Sequence, residues 1–187
     1  MRVLGRAGWW LLAIGMCSAA RAQLGVYAMG SGGYLSSVTA PSGPLTVTSQ
    51  SFGAYGGTFG VYKNFYKLGP LRLGADGRAF LQSSVNSNSY GNQLRGGLVG
   101  ARLALVSKAA PFSPYIQAAL GGASTNYGTS ATLSTSFAYQ VSGGLDYTII
   151  PRLDARFEYG NGQISSVYSG YKQTMQQVGL GLVFRFK

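Results

Sequence analysis

The alternation of side chains along this chain does most to limit what it can fold into. In residues 153–159 the odd positions are Leu153, Ala155, Phe157 and Tyr159, and the even ones are Asp154, Arg156 and Glu158. Residues 137–147 divide the same way, with Phe137, Tyr139, Val141, Leu145 and Tyr147 set against Ala138, Gln140, Ser142 and Asp146. Leu71, Leu73, Ala75, Ala79 and Leu81 oppose Arg72, Gly74, Asp76, Arg78 and Phe80, and Val178, Leu180, Leu182, Phe184 and Phe186 oppose Gln177, Gly179, Gly181, Val183 and Arg185. A period of two is that of an extended strand whose faces meet different surroundings. Glycine, 29 of 187 residues, is present at about twice its usual share, which argues against a packed helical protein.

Eight such segments follow one another, at about 23–34, 52–63, 71–82, 93–106, 114–124, 136–148, 153–163 and 173–186. Each is long enough to cross a bilayer at a tilt. The connectors alternate in kind. Those at 35–51, 83–92, 125–135 and 164–172 are long and rich in Ser, Thr, Asn, Gly and Tyr, whereas 64–70, 107–113 and 149–152 are shorter and carry Pro70, Pro111 and Pro151. Short turns at one end and long polar loops at the other are the pattern of an outer-membrane barrel. The expected fold is therefore all-β, an eight-stranded antiparallel up-and-down transmembrane β-barrel over residues 23–187, its long loops facing outside.

Residues 1–22 read as a secretory signal peptide. Arg2 and Arg6 precede an apolar run from Gly8 to Ala20, and Ala20-Arg21-Ala22 forms an A-x-A cleavage site before Gln23. As a helix that run spans only about 20 Å, short of the roughly 30 Å hydrocarbon core, so it is not an anchor. A lipoprotein reading of Cys17 is disfavoured by the bulky Met16 beside it. Beyond Gln23 no apolar run approaches the roughly 18 residues of a membrane-spanning helix, and Sec export to the bacterial outer membrane is the expected route.

The ionic residues fall on the polar faces. All four carboxylates, Asp76, Asp146, Asp154 and Glu158, lie there, together with Arg72, Arg78, Arg102, Arg156 and Arg185. An eight-stranded barrel has an interior just wide enough for side chains to fill it, and buried ions must pair, a task suited to guanidinium forks. These nine residues are the expected structural network of the lumen. Tyr55, Phe59, Tyr62, Tyr139, Tyr147, Phe157, Tyr159 and Phe186 are expected near strand ends as interfacial girdles, although Tyr62 breaks the outward parity of its strand.

Gly143-Gly144-Leu145-Asp146-Tyr147, followed by the run from Pro151 to Tyr159, resembles the sixth strand, tight turn and seventh strand of the eight-stranded outer-membrane barrels of the OmpA and OmpX type. The ending Val178–Phe186 is similar to their terminal strand. That resemblance implies Phe184 and Phe186 as a terminal signal for the barrel-assembly machinery, with Lys187 as a one-residue departure, and periplasmic chaperones as partners in transit. Unlike the long OmpA proteins, the chain is expected to lack a peptidoglycan-binding domain, since its sequence stops with the barrel strands.

Candidate chemistry is sparse. The chain contains no histidine, which removes the commonest general base, metal ligand and pH switch. Small barrels with lipase, palmitoyltransferase or deacylase activity resemble this chain in outline but rely on a histidine. Glu158 with Asp154 or Asp76 is conceivable as an acid–base pair, yet their arginine neighbours favour a structural network. The Gly-Gly pairs lack the Gly-Lys-Ser/Thr of a phosphate loop. No enzyme activity, cofactor or metal is expected.

The formal net charge is +11, but export and the scattered placement of the cations argue against nucleic acid as a partner. Lys63, Lys67, Lys108, Arg152 and Lys187 fall near the periplasmic ends, suited to anionic lipid headgroups, while Arg95 and Lys172 lie toward the outside. Outer-membrane lipid and lipopolysaccharide are the expected surroundings. Loops 35–51, 83–92, 125–135 and 164–172, with Tyr90, Tyr127, Tyr168 and Tyr171 among Ser, Asn and Gly, suit adaptable contacts with an extracellular ligand. The expected role is a surface barrel with a closed lumen. The alternative is a narrow pore, if inward glycines leave a water path.

Overall fold

A computed structural model of the chain describes residues 23–42, 45–49, 51–84, 91–107, 110–127, 134–165 and 172–186. The expected signal peptide, with Ala20 and Ala22 at its expected cleavage site, lies outside the described residues, as do Lys108 and Lys187. Eight strands form the barrel: β1 (Leu24–Leu35), β4 (Phe52–Leu68), β5 (Leu71–Ser83), β6 (Asn92–Leu105), β7 (Phe112–Tyr127), β8 (Ser134–Ile150), β9 (Leu153–Ser165) and β10 (Lys172–Phe186). A separate hairpin, β2 (Val38–Ser42) and β3 (Leu45–Ser49), stands in the first long connector. Each barrel strand pairs antiparallel with its neighbours, and β1 closes the circle by pairing with both β10 and β4.

Closure satisfies the backbone ladders, which hydrocarbon demands because it offers no water to an open edge. The strands are 12 to 17 residues long, more than the roughly 9–11 needed to cross a bilayer tilted. Val26, Phe59, Val99, Ile116, Leu120 and Leu180 are among the exposed large side chains of the outer surface. Such a wall would be an aggregation hazard in water and is the natural surface in lipid. The alternation therefore records lipid outside and a packed lumen inside.

Three local features differ from the sequence expectation. β4 runs on to Leu68, through an irregularity between Asn64 and Tyr66, so the connector expected at 64–70 contracts to Gly69 and Pro70. Gly69, at φ 62°, adopts a conformation that glycine takes without a Cβ clash. At the turn between β8 and β9 Arg152 holds φ 81°, at a cost of about 1–2 kcal/mol for an L-residue. Its carbonyl accepts the Arg185 backbone N–H at 2.8 Å. Tyr62 is the third difference. It is 4% exposed and points inward, while the other seven proposed girdle aromatics, Tyr55 and Phe157 among them, are exposed on the outer surface.

Candidate functional site

The lining of the lumen changes along the barrel axis. At the end bearing the short turns, Asp154 on β9 accepts from Arg185 Nη2 at 2.7 Å, and the same nitrogen donates to Thr148 at 3.1 Å. Above this pair Asp146 on β8 accepts from two arginines. Arg156 donates through Nε and Nη2 at 2.7 and 2.8 Å, and Arg102 through Nη2 at 2.7 Å. Nearer the middle Arg78 serves two carboxylates, donating to Asp76 through Nε at 3.1 Å and to Glu158 through both terminal nitrogens. Tyr27 donates to Asp76 at 3.0 Å and Tyr115 to Glu158 at 2.6 Å. All four carboxylates of the chain thus face arginine.

Aromatic rings hold the guanidinium groups from their faces. Arg102 lies 3.6 Å from the Tyr115 ring centroid and 4.3 Å from that of Tyr62, and Arg156 lies 4.3 Å from Tyr27. Desolvated contacts of this kind are each worth about 2 kcal/mol. The rings fit because of what they face. Tyr27 pairs in register with Gly60, Tyr62 with Gly25, Tyr115 with Gly144, and Phe80 with Gly96. A Cβ on any of these glycines would collide with the opposing ring. Inward glycine here makes room for the neighbouring strand's ring.

Toward the loops the ionic layer gives way to amides and hydroxyls. Gln140 donates to Gln177, which donates to Thr58, at 3.1 and 2.9 Å, and Gln82 donates to Ser31 at 2.8 Å. An apolar cluster then fills the loop end, with Leu35, Phe80, Leu94, Ile164 and Met175 each at most 1% exposed. Eight of the nine ionic residues expected in the lumen meet in this chain of contacts. Arg72 shares the inward face of β5 at the turn end but stands outside it, and its Nε has no partner among the described residues.

Sequence reasoning missed Tyr27, Tyr115, the glutamine belt and the apolar cluster. The signal available was the placement of inward glycines opposite large inward residues. Phe184 and Phe186 lie on the outer surface of β10, ring centroids 5.0 Å apart at 72°, and Gln23 accepts the Asn64 backbone N–H at 3.0 Å through its carbonyl. Among the described residues no three metal-ligating side chains converge.

No family model matches the sequence, and no curated protein matches it significantly. Solved structures do. Neisserial surface protein A is 18% identical over 86% of this chain and 97% of its own, with a TM-score of 0.61. Ail, the attachment invasion locus protein of Yersinia pestis, in complex with the heparin analogue sucrose octasulfate, is 13% identical over 88% of this chain and 99% of its own, at 0.52. The outer membrane enzyme PagL is 12% identical over 86% and 98%, at 0.51. At such identities the likeness is one of fold.

Proposed function

Starting from a chain with the fold of the eight-stranded outer-membrane β-barrels, we propose that it serves as a non-conducting surface scaffold that presents its long loops to partners outside the cell. The observation that carries this reading is the filling of the lumen. Tyr27, Tyr62 and Tyr115 occupy the space their partner glycines leave, Arg102 and Arg156 stack on them, and apolar side chains pack the loop end. Four of the inward glycines that would have lined a water path in a pore, Gly25, Gly60, Gly96 and Gly144, instead face rings.

The carboxylates are each engaged by arginine, which leaves none free for acid–base chemistry, and the reading assigns the protein no reaction. The exposed Lys67 and Arg152 at the turn end suit contact with anionic headgroups, and the Phe184–Phe186 pair suits recognition by the assembly machinery. The sequence between the barrel strands at 36–51, 84–91, 128–133 and 166–171 contains no Asp, Glu, Lys or Arg. A neutral surface of Ser, Thr, Asn and Tyr suits an uncharged partner, in contrast to the sulfated heparin analogue in complex with Ail.

Single-channel recording of the purified, heat-modifiable barrel in a planar bilayer tests the reading. A silent bilayer is the expected result. Stable, discrete conductance steps from folded protein would overturn it in favour of a narrow pore, with the inward arginines as its selectivity lining.

A further inference from the structure

On the outer wall, toward the turn end, an apolar groove of about 550 Å³ runs across β1, β4 and β5 beside β10, a size at which small-molecule pockets occur, about 300–1,000 Å³. Small side chains make its floor. Ala28 lies between Leu182 and Phe59, and Gly77 lies beside Val61, at a position where a Cβ would meet nothing within 4 Å. The Phe59 ring leans loopward over Gly57, whose added Cβ would be 3.0 Å from it, and so leaves the space on its turn side clear. Lys63 follows Val61 on the same outward face, about 7 Å farther toward the turns at the strand rise. Its register neighbours are Leu24 and Ala75, it is half-buried, and its Nζ lies 5.8 Å from the Phe65 ring centroid, farther still in the turn direction. The apolar stem thus follows the wall while the charge is carried to the headgroup level.

Charge decides what occupies the groove. The chain has four side-chain carboxylates, and all four are paired with arginine in the lumen, so none is left for Lys63. A second copy of the barrel is the poorer occupant, because a twofold interface presents the same patch twice and would set Lys63 against Lys63 with no carboxylate on either wall between them. A phospholipid brings both complementary parts, a phosphate at the headgroup level and a hydrocarbon chain that runs from there toward the midplane. We propose that this groove seats one acyl chain of an anionic glycerophospholipid from the leaflet at the turn end, with its phosphate held by Lys63. In hydrocarbon the chain gains no hydrophobic drive by entering; it gains dispersion contact with a wall shaped to receive it, and the headgroup charge supplies the selectivity. A second apolar groove, of about 500 Å³, lies nearer the loops among Gly30, Gly32, Tyr55 and Phe157; it has no cation in its lining and is expected to take chains without headgroup preference. The inference rests on the membrane location of the barrel and not on a closed lumen, so conductance and lipid binding can fail separately.

Native mass spectrometry of the barrel, purified from outer membranes and stripped of lipid in detergent, tests the site by titration with dioleoyl phosphatidylglycerol or dioleoyl phosphatidylcholine, which share their chains and differ in net charge. One phosphatidylglycerol is expected to bind about fivefold more tightly than phosphatidylcholine, which is about 1 kcal/mol at one cation. Lys63→Gln should erase that preference, whereas Arg95→Gln, which removes an exposed cation at the other end of the barrel, should keep it. Gly77→Leu fills the groove from its open floor and should weaken binding of both lipids, in a barrel that still shows the heat-induced gel-mobility shift. Equal binding of the two lipids by the parent, a loss in Arg95→Gln as large as in Lys63→Gln, or undiminished binding in folded Gly77→Leu would each overturn the proposal. A barrel dimer that phosphatidylglycerol does not dissociate and Gly77→Leu does would overturn it in favour of a second copy in the groove.

Discussion

The two halves of the lumen are built on opposite principles. The turn-side half joins four carboxylates and four arginines through directional bonds, whereas the loop-side half closes with Leu35, Phe52, Phe80, Leu94, Ile164 and Met175. An apolar plug tolerates the loss of a methylene at modest cost because only the transfer and small cavity terms are lost and no polar group is stranded. An ionic network does not, since removing one partner strands a charge in low dielectric. The half nearest the long loops is thus the forgiving one, and the half nearest the short turns is the rigid one. On the proposed scaffold function, this division would let changes above the plug leave the network below untouched.

Replacement of Arg156 by alanine should break the comparison most severely. Arg156 is fully buried and makes two bonds to Asp146, so its loss should cost about 3–5 kcal/mol, the range for breaking a buried pair from one side. Urea titration of the barrel in detergent, read by the unheated gel mobility, checks the figure. A stability within about 0.5 kcal/mol of the parent, the usual effect of a surface substitution, would mean that the ionic half is not the rigid one.

Glycine substitutions sharpen the contrast between inside and outside. At Gly144 a Cβ would meet the Tyr115 ring and lie 2.6 Å from the Phe157 carbonyl oxygen, while at Gly30, on the outer face of β1, the nearest atom is 3.9 Å away. Gly144→Ala should therefore destabilise by about 1–3 kcal/mol, as overpacking does, and displace Tyr115 from Glu158. Gly30→Ala should be close to neutral. Equal unfolding midpoints for the two variants would contradict the ring-over-glycine account.

Strand facing was legible because each outward side chain meets lipid and each inward one meets its opposite, so period two survives in β5, β8, β9 and β10. It fails as a guide where the lumen itself turns apolar. Leu94 is greasy and inward, and a rule of apolar-out, polar-in has no means of telling it from a lipid-facing residue, whereas parity with Arg78 did put Phe80 on the inward face. Tyr62 broke the parity of its strand for a reason visible only in three dimensions, the empty space over Gly25 on the adjacent strand. The β2–β3 hairpin escaped notice although Val38 and Thr39 and then Thr46, Val47 and Thr48 are β-branched, a strand-favouring set, because Pro41, Gly43 and Pro44 interrupt them. The ionic residues could be assigned to one interior from parity alone. Which arginine serves which carboxylate could not, because that depends on register between strands far apart in sequence, such as the 80 positions separating Arg78 and Glu158.

The smallest effect tests the forgiving half directly. Ile164 is 1% exposed and lies in the apolar cluster at the loop end of β9. Ile164→Val removes one methylene without stranding any polar group, and the expected cost is about 0.5–1.5 kcal/mol, well below that of Arg156→Ala. The same urea titration reads it, and combining the two substitutions adds information, because residues that share no partner should contribute independently to within about 0.5 kcal/mol. A double variant whose loss departs from the sum by more than about 1 kcal/mol, beyond that margin, would mean that plug and network act as one unit, and the division between a tolerant and a rigid half would have to be abandoned.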